Sequence, residues 1–121
     1  MPRFPARNVQ SRQREILLRI DGSDVATSAS TAGVDEGSAH VTAAKGTGGA
    51  SNEVTITFND AYSRVPVVVA TPVTTNCHIE IKSVAAGSVV LETFQVADGT
   101  TGVDDADMHV RITGWDSATE H

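Results

Sequence analysis

The chain has 121 residues, 40% of them hydrophobic but only 4% aromatic, and carries 9 Lys and Arg against 15 Asp and Glu for a formal net charge of −6. That length suits one domain with a real core, and the single cysteine, Cys77, excludes an internal disulfide. No apolar run approaches the roughly 20 residues needed to span a bilayer, and no apolar signal core follows the first Met, so the expectation is a soluble chain made in a reducing cytoplasm.

Charge is unevenly placed along the chain. Residues 1–20 hold Arg3, Arg7, Arg12, Arg14 and Arg19 against Glu15 alone, 5 − 1 = +4, while the remainder sets Lys45, Arg64, Lys82 and Arg111 against fourteen acids, 4 − 14 = −10. A basic arm on an acidic body marks an interaction tail. Phosphate would repel the body, so nucleic acid is disfavoured and an acidic protein surface is the expected partner of the five arginines.

In chain order, 1–13 contains two prolines and few apolar residues and reads as an extended arm. Residues 14–20, REILLRI, form a candidate strand closed by Asp21-Gly22, with a short helix from near Asn8 as the alternative. Residues 23–37 are rich in Ser, Ala, Thr and Gly and read as a linker or long surface excursion. The expected division is therefore an arm and linker over 1–37 and a sandwich domain over 38–121. Within the latter, 38–43 is a weak strand, and the uncharged loop 46–52 leads into Val54, Ile56 and Phe58, which alternate with Thr55 and Thr57 as a half-buried strand does.

Asn59-Asp60 turns the chain. Val65 to Ala70 is an unbroken apolar run, which suits a strand covered on both faces and places Pro66 at its start rather than in mid-ladder. Cys77, Ile79 and Ile81 alternate with His78, Glu80 and Lys82. Ala86-Gly87 then turns the chain into a strand over 89–96. After a Gly/Asp/Thr loop over 98–107, Met108, Val110 and Ile112 alternate with His109, Arg111 and Thr113. No useful amphipathic helix is visible, so the fold class is all-β, an antiparallel β-sandwich preceded by an extended basic N-terminal arm.

Chemistry-bearing residues have plain structural explanations. Cys77 and His78 are strand neighbours and point to opposite faces, so they cannot act as nucleophile and base. Asp105, Asp107 and His109 match no defined calcium loop, and the four histidines have no ligand-like spacing. Gly46 to Gly49 precedes no helix, so a phosphate cradle is not expected. No catalytic, cofactor-binding or metal residue is assigned, and an enzyme is not expected. Strict alternation from Val89 and Leu91 sends Val90, Phe94 and Val96 outward, and from Ile112 it sends Trp115 outward; Phe94 and Trp115 are the candidate self-association residues, with a bulge near Glu92 or Gly114 as the alternative that would bury them.

The segments VTITFNDAYSRVPVVVATP, CHIEIKSVAAGSVVLET and DMHVRITGWDS resemble the H-type-lectin-like β-sandwich, a jelly-roll-like architecture that recurs in virion proteins of tailed bacteriophages. The features that carry this are the Phe58 and Tyr62 corner, the strand Pro66 to Val69, a glycine-turn strand, and a closing strand that ends in Gly114-Trp115. The pattern covers about half the chain. Ser88 and Val89 stand where such lectins usually have a bulky aromatic after the glycine turn, and no sugar-contacting position matches, so lectin activity does not carry over. The resemblance implies a small sandwich that assembles as a homotrimer. It also implies a virion location, most simply as a capsid decoration (cement) protein made in the host cytoplasm and bound to the major capsid protein. A tail-fibre or host-attachment module that binds carbohydrate is the alternative.

Overall fold

Alternation of apolar and polar side chains with a period of two produces strands that each have one face to bury, and two such sheets bury their faces against each other. The structure, a computed structural model, describes residues 12–116. It contains β1 (Arg12–Ile20), β2 (Val34–Glu36), β3 (Val41–Lys45), β4 (Glu53–Phe58), β5 (Val67–Pro72), β6 (Cys77–Val84), β7 (Ser88–Gln95) and β8 (Met108–Asp116), with one turn of 3-10 helix at Gly48–Ala50. The strands form two antiparallel four-stranded sheets, sheet A in the order β2-β1-β8-β5 and sheet B in the order β3-β4-β7-β6. The protein is an all-β antiparallel sandwich.

The core lies between the sheets. Ile16, Leu18 and Ile20 of β1 and Met108, Val110 and Ile112 of β8 meet Val41, Ile56, Val89 and Leu91 of sheet B, and none of these is more than 4% exposed. Each such side chain contributes roughly 1.5–3 kcal/mol by leaving water. Among the described residues one polar side chain, Thr93, is buried with them, and its hydroxyl donates to the Val103 carbonyl oxygen, with the Asn52 carbonyl oxygen also within reach.

Three sequence expectations are corrected by this architecture. Residues 23–37 are not a linker outside the sandwich: β2 lies within them and pairs with β1, and Val25 and Val34 are buried. The sandwich therefore already includes β1, and the division at 37/38 falls between two of its strands. Composition hid this because the segment anchors itself with only two valines. The run Val65 to Ala70 is not covered on both faces: β5 is an edge strand, with Val68 buried but Val67 and Val69 57% and 48% exposed. Ile81, expected inward, does pair with the buried Leu91, but it is 43% exposed on β6, an edge strand of sheet B, just before the register of β6 on β7 shifts between Ile81 and Ser83.

Candidate interaction surface

One end of the sandwich is closed by a cluster around Tyr62. Its ring meets Phe58 edge-on at 5.4 Å between centroids, and its hydroxyl donates to the Arg14 carbonyl oxygen at 3.3 Å. The Arg14 guanidinium lies 4.1 Å above the ring, grips both carboxylate oxygens of Asp116 at 2.8 and 3.1 Å, and donates to the Asp60 carbonyl oxygen at 2.9 Å. The hydrogen bonds to Asp116 raise the pKa of Arg14, and burial raises that of Tyr62. Arg14 is thus committed to the fold, which corrects its assignment to a free arm. Arg12 and Arg19 also belong to β1 and are exposed. Arg3 and Arg7, and with them the expected arm, lie outside the described residues.

The outer face of sheet A is the most apolar surface among the described residues. Of eight large hydrophobic side chains left exposed, six lie on β1, β5, β8 or the flanks of β5: Leu17, Val65, Val67, Val69, Val73 and Trp115. Register places Val69 and Leu17 on either side of Arg111, so an apolar row with one cation at its centre crosses the sheet. Arg111 reaches Glu15 at 3.7 Å, and a shallow depression of about 450 Å³ is lined by Leu17, Val69, Thr71, His109 and Arg111. Pairing of β8 with β1 runs without a register shift through Gly114, which leaves Trp115 outward and 38% exposed.

Phe94 also faces outward, but from sheet B. It packs against His78, centroids 5.7 Å apart, beside a polar groove of about 410 Å³ lined by Asn52, Glu92, Thr100 and Asp104. Phe94 and Trp115 are therefore on opposite faces of the sandwich and do not form one patch. Leu17, Val67 and Val69 went unassigned as surface residues. Leu17 sits between inward Ile16 and Leu18 and so must point out, and the prolines at 66 and 72 mark an edge strand.

The remaining candidates are placed in ordinary structural roles. Cys77 is buried, burial raises its pKa, and its thiol donates to the His78 carbonyl oxygen. The His78 ring turns the other way, to Glu80 at 3.1 Å. Asp105 pairs with Lys45, Asp107 accepts the Gly22 N–H at 3.0 Å, and among the described residues no three His, Cys, Asp or Glu side chains converge as metal ligands would. No helix among them is long and apolar enough to cross a membrane. No protein-family model, curated protein or solved structure matches this chain.

Proposed function

We propose that this chain is a structural virion protein, a capsid decoration or cement protein that binds the outer surface of a phage capsid through the major capsid protein and stabilises the particle. The observation that carries this reading is the outer face of sheet A, where Leu17 and Val69 flank Arg111 and Val67 and Trp115 extend the exposed apolar surface, on a body that is otherwise strongly acidic. Apolar area of this kind on a small acidic domain marks a protein contact. Arg19 lies on the same face, and Arg3, Arg7 and Arg12 precede it in sequence, so basic and apolar contributions add toward an acidic partner. The resemblance to phage sandwich proteins supplies the particle, and it favours three copies about an axis.

The test is to purify particles and count this chain against the major capsid protein. Hundreds of copies per particle support decoration. A few copies support the second reading, a fibre or attachment module that binds carbohydrate. Its supporting observation is the groove in which the Phe94 ring stands among Asn52, Glu92 and Asp104, an apolar platform ringed by hydrogen-bonding groups.

A further inference from the structure

Strand β5 is an open edge whose backbone bonds can be assigned one by one. Among the described residues it pairs only with β8, in the register Val67↔Thr113 to Pro72↔Met108. Antiparallel pairs alternate between hydrogen-bonded and non-hydrogen-bonded. Pro72 has no N–H, so its pair with Met108 is of the second kind, and the next position agrees: the Val73 N–H donates to the Asp107 carbonyl oxygen at 2.9 Å. By the same alternation Val67, Val69 and Thr71 bond to β8, while the N–H and C=O groups of Val68 and Ala70 point away from the sheet. Pro66 and Pro72 bracket them.

Edge strands are usually blunted by charge. Here residues 65–75, VPVVVATPVTT, carry none in a chain of net charge −6. We infer that this edge pairs with the same edge of a second copy of the chain, antiparallel about a two-fold axis at Val69. In that register Val68 faces Ala70 of the second copy and Ala70 faces its Val68, forming four N–H···O=C bonds. Pro66 faces Pro72 of the second copy, where neither has an N–H to leave unmatched. On the outer face Val69 meets Val69 and Val67 sits beside Thr71, which extends the apolar row of sheet A across the axis.

The occupant is a second copy because the segment complements itself, donor to acceptor and proline to proline, as an isologous contact requires. Two acidic bodies also repel least where this uncharged strip lies between them. The inference does not depend on which particle carries the protein, and it sets a two-fold contact against the three-fold one that the resemblance favours.

Sedimentation equilibrium of the whole chain at micromolar concentrations is expected to give twice the 12.6 kDa of one copy. Amide exchange on the same sample is expected to be slow at Val68 and Ala70, which otherwise face solvent. Val69→Lys, at a position 48% exposed, sets two ammonium groups against each other on the axis and is expected to weaken association roughly tenfold or more with unchanged circular dichroism. Ile81→Lys on the edge of sheet B, 43% exposed, is expected to leave the dimer intact. A monomer or a trimer for the unmodified chain overturns the inference, as does fast exchange at both amides or a Val69→Lys protein that still dimerises.

Discussion

Replacing Gly114 by Ala tests whether the Tyr62 cluster locks the end of the sandwich. A methyl added at Gly114 would stand 2.5 Å from Cδ1, 2.7 Å from Cε1 and 2.9 Å from Cγ of Tyr62, whereas ordinary contact begins at 3.4 Å. The ring must therefore retreat by 3.4 − 2.5, or about 0.9 Å. It has little freedom to do so: Arg14 covers one face, Phe58 meets its edge, its hydroxyl is bonded to Arg14 and its backbone N–H to Ala86. Overpacking of this kind costs about 1–3 kcal/mol and a strained hydroxyl hydrogen bond about 1 more, while Gly→Ala returns about 0.4–1 through the unfolded chain. The net expectation is a loss of about 2–3 kcal/mol, which for a domain of this size lowers Tm by roughly 8–12 °C. Calorimetry and urea titration followed by far-ultraviolet circular dichroism measure it. In a Tyr62→Leu background, which removes the opposing ring, the same change should cost under about 0.5 kcal/mol. A stable Gly114→Ala protein, or an equal penalty in both backgrounds, would refute the locked-ring explanation.

The two β1 arginines should separate cleanly. Arg14→Ala loses a partly exposed bidentate pair and a cation–π contact and should cost about 1–2 kcal/mol, whereas Arg19→Ala should change the urea midpoint by less than about 0.5 kcal/mol; equal effects would mean Arg14 is not part of the fold. Hydrogen bonds from Thr101 and Thr100 lower the pKa of Asp98 from 3.8 to about 2. Because the folded value is the lower one, the stabilising contribution of Asp98 is present above pH 3.8 and is lost as pH falls through about 2. Asp98→Asn should therefore flatten the dependence of Tm on pH across that window, and an unaltered profile would remove Asp98 as its source. Deleting residues 1–11, which leaves all of β1 in place, should give a folded sandwich whose binding to particles is weaker and less sensitive to salt than that of the whole chain. Undiminished binding would show that Arg3 and Arg7 are not part of the contact.

How legible each element was depended on how many of its neighbours lie nearby in sequence. The strands β4, β7 and β8 stood out because each buries one face and wets the other, so period two appears directly in Val54-Thr55-Ile56 and in Met108 to Thr113. The strand β2 did not, because three residues with one buried valine carry no periodicity and are held by pairing with β1. Val65 to Ala70 looked doubly buried because an apolar run has the same composition whether its outer face meets a helix, a partner chain or water. The role of Arg14 is hidden from the sequence for a related reason. Its role depends on Asp116, 102 positions away, and no local pattern announces that pair.

The corrections at surface residues run in opposite directions, and together they bring exposed apolar and basic side chains onto the outer face of sheet A. Arginines taken as free binding groups divide into Arg14, consumed by Asp116 and Tyr62, and Arg19, which remains available beside Leu17 and His109. Valines taken as core divide into Val68, which is core, and Val67 and Val69, which are not. What remains exposed therefore gathers on one sheet. Among the described residues sheet B turns outward Phe94 with His78 and the polar groove, its exposed large apolar side chains are Ile81 and, just after β7, Val96, and its edge strand β6 carries Lys82, paired with Glu53 at 2.7 Å. Of the four edge strands, β2, β3 and β6 each carry charged side chains, while β5 is uncharged and directs the backbone groups of Val68 and Ala70 away from its sheet. An edge that only had to avoid aggregation would gain from a lysine at 67 or 69, where the side chain points outward and displaces nothing from the core. Valine at both positions is consistent with a surface that is covered when the protein works.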